Sequence, residues 1–153
     1  MSKKKEDLNR VKPKHPNKKL RLTVDIPVSV NHMYYNTKYG GKRLNSKAEK
    51  YFNKTKARIA DYIYQNDYKM EDSNVWQYLD IVVYMPDKRR RDSHNMLKLL
   101  MDTIEGLAYR DDYTVMTRIQ SVELDRDNPR LEMVLSNQTK TQRTKCIKEI
   151  CYE

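Results

Sequence analysis

The sequence predicts an α+β domain in which a mixed β-sheet of about four or five strands carries two main helices packed on it. Four segments alternate apolar and polar residues with the two-residue period of a strand, and two longer segments repeat apolar residues at helical spacing. A chain of 153 residues is long enough for one two-layer core and too short for two. We therefore predict a single domain with tails.

Positive charge is concentrated at the two ends of the chain. There are 31 Lys and Arg against 21 Asp and Glu, a net charge of +10. Residues 1–19 contribute +6 and residues 137–153 contribute +2, which leaves +2 for residues 20–136. The first segment has almost no apolar residues to offset the entropy of ordering. We predict a basic disordered arm at 1–19, a folded domain at 20–136 and a polar basic tail at 137–153, with a polyanion such as nucleic acid as partner.

The first half of the domain contains one strand, one loop and one helix. The stretch "LRLTVDIP" alternates and ends at a proline, as a half-buried strand does. The following "SVNHMYYNTKYGGKRLN" has no period and two adjacent glycines, so we predict a loop rich in tyrosine and cations. Ser46 and Glu49 then form a capping box, which predicts a helix from about Ser46 to Gln65.

The second half predicts three strands and a second helix. The stretch "WQYLDIVVYMP" is apolar on both faces, which suits a central strand covered on both sides. "VMTRIQSVEL" and "RLEMVLS" are joined by the turn "DRDNP", which predicts a hairpin. A second helix is predicted between the central strand and these two strands, and Gly106 is placed to end it. Its apolar arc consists of Met96, Leu97, Leu100, Met101 and Ile104.

The cellular compartment is also suggested by composition. Cys146 and Cys151 both lie in the polar tail, too few and too peripheral for a disulfide framework or a zinc site. No apolar run reaches the length of a membrane span, and the first residues lack the apolar core of a secretory signal. We expect a cytoplasmic protein with no membrane partner.

The stretch "DKRRRDSHNMLKLLMD" crowds cations, acids and a histidine in front of the second helix. Magnesium takes oxygen ligands from one or two carboxylates and fills its other positions with water and phosphate oxygens. Asp92 before the helix and the pair Asp111 and Asp112 after it are candidate metal ligands. A helix that packs antiparallel to the sheet would place the pair at the far end from Asp92, unless the next strand runs back along the neighbouring one. Lys98 lies one turn after His94, so the two side chains can face one pocket and stabilise charge on a scissile phosphate.

Each feature also has an ordinary interpretation. The cations at 89–91 can be a solvated turn that grips no phosphate, and Asp92 can be a helix N-cap. Lys98 and Asp102 can be an exposed i,i+4 pair, and Tyr34 and Tyr35 can pack on the sheet. A functional site is favoured because several such features fall within the 26 residues 87–112.

The segment "MPDKRRRDSHNMLKLLMDTIEGLAYRDDYTV" resembles the core motif of the RusA-type Holliday-junction resolvases, metal-dependent endonucleases common in prophages. That motif is RDxDN, a lysine three residues after the asparagine, an aspartate four further on, and DD after a glycine and an aromatic residue. Asn95 and Asp102 match its helical part. "IPVSVNHMYYNTKYGGKRLNS" and "RLEMVL" are similar to the family's N-terminal strand with its basic loop and to its closing strand, so the resemblance covers roughly residues 20–136.

The resemblance implies an endodeoxyribonuclease that resolves Holliday junctions and other branched DNA by metal-dependent phosphodiester hydrolysis in DNA recombination and repair, in a bacterial or phage-encoded protein. It implies a homodimer, which suits the two equivalent strands of a four-way junction. It implies catalytic roles for Asp92, Lys98 and Asp112, and Mg²⁺ as cofactor, with no organic one. The metal ligands are then Asp92, His94, Asp111 and Asp112. The DNA-binding residues are then Arg89, Arg90, Arg91, Lys98, Tyr34, Tyr35, Lys38, Lys42 and Arg43, with the tyrosines near the unstacked bases of the branch point.

His94 departs from the family pattern, which has a second carboxylate at this position. A neutral imidazole can bind a metal, but it removes a negative charge and shifts preference from magnesium towards manganese. We favour an active site with altered metal preference because Asp92, Lys98 and Asp112 remain. A catalytically inactive branched-DNA-binding protein stays open as the alternative. A basic RNA-binding module gains little support, since the sequence has no RNP-like aromatic strand or glycine-rich clamp.

Overall fold

The computed structural model of the protein describes residues 18–27, 33–72, 75–89 and 92–138. Most of the predicted basic arm, most of the C-terminal tail with both cysteines, and the predicted DNA-binding residues Arg90 and Arg91 lie outside this part. Among the described residues, the first strand begins at Lys19, and Gln138 is buried. None of the described helices is long and apolar enough to cross a membrane.

The described residues form six strands and two helices. In chain order these are β1 (Lys19–Val24), β2 (Tyr34–Asn36), β3 (Lys42–Leu44), α1 (Ser46–Gln65), β4 (Gln77–Met85), α2 (Leu97–Ile104), β5 (Val115–Leu124) and β6 (Arg130–Asn137). Four strands make one sheet in the order β1-β6-β4-β5, and β2 pairs with β3 separately. Because β4 is parallel to β5 and antiparallel to β6, the sheet is mixed. The predicted α+β class, the mixed sheet and the two main helices are confirmed.

Both helices pack on one face of this sheet. Ile59 of α1 and Leu100 and Ile104 of α2 are fully buried against the same strand residues. Burial of each such side chain contributes about 1.5–3 kcal/mol, so this face supplies most of the hydrophobic stabilisation. The strand residues on this face are Leu20, Leu22, Val24, Leu79, Ile81, Val83, Met85, Val115, Leu131, Met133 and Leu135.

The other face of the sheet has no helical layer over β4, contrary to the prediction that β4 is covered on both sides. No described helix packs there, and two arginines cover the tyrosine rings of β4 instead. The Arg118 guanidinium lies 3.7 Å from the centre of the Tyr78 ring, and that of Arg130 lies 3.8 Å from the centre of the Tyr84 ring. Aromatic residues on this face of β4 therefore reflect cation–π packing rather than a second hydrophobic layer.

The predicted hairpin of β5 and β6 is wrong, because β4 lies between these two strands. The chain leaving β5 passes the end of β4, where the Asp125 N–H donates to the Met85 carbonyl at 2.8 Å. Arg130 then binds the Asp125 carboxylate at 2.8 Å and holds the connection. Alternation of apolar residues reports which face of a strand is buried and carries no information on its neighbours.

The predicted tyrosine-rich loop contains the two-stranded ribbon of β2 and β3, which pairs Tyr34 with Leu44 and Asn36 with Lys42. Its base is joined to a second buried cluster of Met33, Ala48, Tyr51 and Leu99. The strands have only three residues each, so neither shows a period in the sequence.

The helix limits agree with the prediction except for one cap and one turn. α1 runs from Ser46 to Gln65 as predicted, but its cap is Asn45, whose Oδ1 accepts from the Ala48 N–H at 2.9 Å. A short 3₁₀ turn at Ser93–Met96 precedes α2. Gly106 follows the α2 C-cap with a φ of +81°, the left-handed conformation that ends helices, as predicted.

Candidate active site

The motif residues lie at the two ends of the helical segment that joins β4 to β5. These strands are parallel, with Gln77 paired to Val115 and Met85 paired to Leu124, so β5 starts at the opposite edge of the sheet from where β4 stops. The segment between them has four residues of 3₁₀ turn and eight of α-helix. At the usual rises of these helices its two ends are roughly 20 Å apart.

Three carboxylates meet at the far end of this segment. Oxygen atoms of Glu105, Asp111 and Asp112 all lie within 4.8 Å of one another, and all three side chains are exposed. Glu105 is the C-cap of α2, and Asp111 caps the 3₁₀ turn Asp112–Thr114, where its Oδ1 accepts from the Tyr113 N–H at 2.9 Å. Within the described ranges this is the one such group that could hold a metal ion. We name it the acidic cluster.

Glu105 was not among the predicted ligands. The turn after α2 brings it to the aspartates, since the Gly106 N–H donates to the Tyr109 carbonyl at 2.7 Å and the chain folds back. The signal available in the sequence was this glycine, because a left-handed residue after a helix reverses the chain and lets its flanking residues meet.

A buried tyrosine lies beside the acidic cluster. Tyr109 is 1% exposed, and its hydroxyl donates to the Met101 carbonyl at 3.1 Å. Burial raises the pKa of Tyr109, and the negative charges of Asp112, Glu105 and Asp102 raise the pKa further. Burial and the nearby acids both favour the neutral hydroxyl, so Tyr109 keeps its proton at neutral pH.

Asp92 and His94 lie at the other end of the segment and do not belong to the acidic cluster. Asp92 is the N-cap of the 3₁₀ turn, and its Oδ1 accepts from the His94 N–H at 3.0 Å. Capping engages one carboxylate oxygen, and the second can still bind a ligand. Within one chain, the four metal ligands implied by the family resemblance therefore lie in two places. Asp111 and Asp112 belong to the acidic cluster, and Asp92 and His94 lie at the other end of the helical segment.

Lys98 lies between the two ends. Its Nζ is 3.6 Å from Asp102 Oδ2, an i,i+4 ion pair whose side chains are about half exposed. Such surface pairs contribute only about 0.3–0.5 kcal/mol, so Lys98 can exchange Asp102 for a phosphate at little cost.

The predicted DNA-binding residues divide between the ribbon and the turn before Asp92. Tyr34 and Leu44 share one face of the ribbon, and Tyr35 and Arg43 share the other, because paired residues project to the same side. Lys38, Lys42 and Arg43 are exposed. Arg89 is exposed too, and its backbone N–H donates to Asp87 Oδ1 at 3.0 Å.

Comparison with known families shows which family the chain belongs to. The family model described as Endodeoxyribonuclease RusA matches residues 25–136, well over half of the chain. The chain belongs to the RusA family. RusA proteins are endodeoxyribonucleases that resolve Holliday junctions. The match spans both ends of the helical segment and the ribbon. No curated protein matches the sequence.

Proposed function

We propose that this RusA protein is a divalent-metal-dependent endodeoxyribonuclease that cuts four-way junctions and other branched DNA in recombination and repair. The observation that carries the proposal is the acidic cluster, in which three carboxylates approach within 4.8 Å inside a RusA domain. Carboxylate oxygens are the ligands that Mg²⁺ prefers, so the donor set fits this ion. A divalent cation bound there supplies neutralisation of phosphate charge and activation of water.

The chain's own side chains then have separate tasks. Glu105, Asp111 and Asp112 would hold the cation. Lys98, as a mobile cation on an exposed face of α2, neutralises charge that builds on the scissile phosphate. Arg89 and the cations of the ribbon bind neighbouring backbone phosphates, which gives affinity without sequence preference.

We further propose that one active site is built from two subunits. Asp92 and His94 are too far from the acidic cluster of their own chain to share an ion with it. A two-fold axis through the middle of α2 would bring Asp92 of each subunit towards the acidic cluster of the other, and Lys98 towards Asp102 of the partner subunit. Such a homodimer has two equivalent sites, which matches the two strands to be cut in a junction.

Mixed dimers test the shared site. Asp92→Asn and Asp112→Asn are produced separately and together, with different affinity tags so that heterodimers can be purified. Each variant alone is expected not to cut. The heterodimer keeps one complete site if the two subunits share it, so it should nick one strand of a junction. If the heterodimer is as inactive as its parents while binding the junction normally, each site lies within one chain.

A metal series tests the nuclease itself. A labelled four-way junction is incubated with the protein in EDTA and then with Mg²⁺ or Mn²⁺. We expect binding in all conditions and symmetrical nicks only with a divalent cation. Binding without nicking in any metal would support the inactive junction-binding alternative instead.

A further inference from the structure

The ribbon of β2 and β3, taken here as residues 33–45, is a basic projection on the domain. It contains three Lys and Arg residues and no acid. All three cations are exposed. A polyanion is therefore the partner that its charge fits.

The ribbon is held at its tip and at its base. At the tip, the Thr37 N–H donates to the Gly41 carbonyl at 2.7 Å, and the Gly41 N–H donates to Thr37 Oγ1 at 3.0 Å. Gly40 has a φ of +85°, which only a residue without a Cβ adopts readily in such a turn. At the base, the Asn45 N–H donates to the carbonyl of Met33, a fully buried residue. The turn thus has a defined conformation.

The tip presents a tyrosine that does nothing for the fold. Tyr39 is 97% exposed, so its ring contributes no burial to the core. Together with Tyr35 and Arg43, it borders an open hollow of about 570 Å³ beside the ribbon. Two rings and several cations therefore face the same space outside the domain.

We propose that Tyr39 stacks on an unstacked base at the branch point of its DNA substrate and thereby selects branched DNA over duplex. The choice of branched DNA rests on the proposed function, whereas the stacking is inferred from the exposed ring and the cations of the ribbon. A duplex offers phosphates to the cations but hides the faces of its bases, and only a branch or a single strand exposes them. Every base has such a face, so the contact discriminates structure and tolerates any sequence.

Binding measurements in EDTA test this with the full chain. Tyr39→Ala is compared with Tyr64→Ala, which removes a ring that is 88% exposed at the end of α1. Each protein is titrated with a four-way junction and with duplex of the same arm sequence. We expect Tyr39→Ala to bind the junction at least about fivefold more weakly, with duplex affinity unchanged, and Tyr39→Trp to bind like wild type. Tyr64→Ala should match wild type on both DNAs.

A fluorescent base analogue separates stacking from charge. With 2-aminopurine at the branch point, wild type should change the fluorescence on binding, and Tyr39→Ala should not. Lys38→Ala should weaken junction and duplex alike and reduce the salt slope by about one. Equal loss on both DNAs for Tyr39→Ala, or none on either, would overturn the proposal. Because the assay contains no metal, it can succeed even if no metal supports cleavage, and it can fail with an active nuclease.

Discussion

The two ends of the helical segment between β4 and β5 use their acids differently. At the start, Asp92 caps a turn and accepts from a backbone N–H, which stabilises an isolated carboxylate. At the end, three carboxylates crowd together, and one of them, Glu105, sits at the C-terminus of α2 where the helix dipole disfavours negative charge. The first arrangement is stable by itself. The second brings like charges together, and a divalent cation bound there would relieve their repulsion.

The largest expected effect comes from removing one aspartate at either end. Asp112→Asn and Asp92→Asn should each lower the rate of junction nicking in Mg²⁺ by more than about 100-fold, because each removes a proposed metal ligand. Junction affinity in EDTA should be unchanged or higher, since neither is a DNA-binding cation. Parallel loss of binding and cleavage would mean that these residues maintain the DNA-binding surface instead.

Glu105→Gln tests whether crowding at the end of the segment serves metal binding. We expect about 10- to 100-fold slower cleavage and a higher Mg²⁺ requirement, together with a higher melting temperature in EDTA because repulsion is relieved. Glu123→Gln, on the exposed end of β5, is the matched control and should change neither property. If Glu105→Gln needs the same Mg²⁺ concentration as wild type, Glu105 is not a ligand and the cation is bound by the aspartates without it.

His94 tests the start of the segment. If its imidazole is a ligand, His94→Ala should lose roughly tenfold or more in cleavage, and His94→Asp should recover activity with Mg²⁺. Wild type should cut with Mn²⁺ at least as well as with Mg²⁺. The rates of the three proteins are compared in both metals. An alanine variant that cuts like wild type, with the same metal preference, would make His94 a bystander.

Asp80 is an acid with an expected structural role, so its removal gives the smallest effect. Burial alone would raise the pKa of Asp80, but hydrogen bonds from Arg118 and Gln120 outweigh it and the pKa is lowered. A lowered pKa contributes stability above the unfolded value of about 3.9 that is lost as the pH falls through the folded value. Asp80→Asn should cost about 1 kcal/mol at pH 7, less at pH 3, and leave cleavage unchanged. A pH-independent difference in unfolding free energy would contradict this.

Much of the fold follows from local pattern. α1 and the four sheet strands lie where periodicity predicts them, because the buried face of each repeats in the sequence. The order of strands does not follow, since β4 enters between β5 and β6 through contacts that no local segment encodes. The ribbon was missed for a related reason, because its pairing depends on a turn at Thr37 and Gly41 rather than on alternation.

The candidate site is predictable in part. The family motif predicts Asp111 and Asp112 as ligands, and the structure places Glu105 beside them. Asp92 and His94 lie at the opposite end of the helical segment from the acidic cluster because β5 runs parallel to β4. The sequence left that direction open, because the same motif spacing is compatible with strands that run either way.

The position of β6 has a consequence for how the protein is made. β1 pairs with β6 from Lys19↔Ser136 to Val24↔Leu131, and β6 also joins β1 to β4. Because β1 is synthesised before β6, it can form this pairing only after β6 has been made. Closing so long a loop is entropically costly and slow. A nascent chain that stops before Arg130 would lack β6 and leave the backbone edges of β1 and β4 unpaired, which favours aggregation.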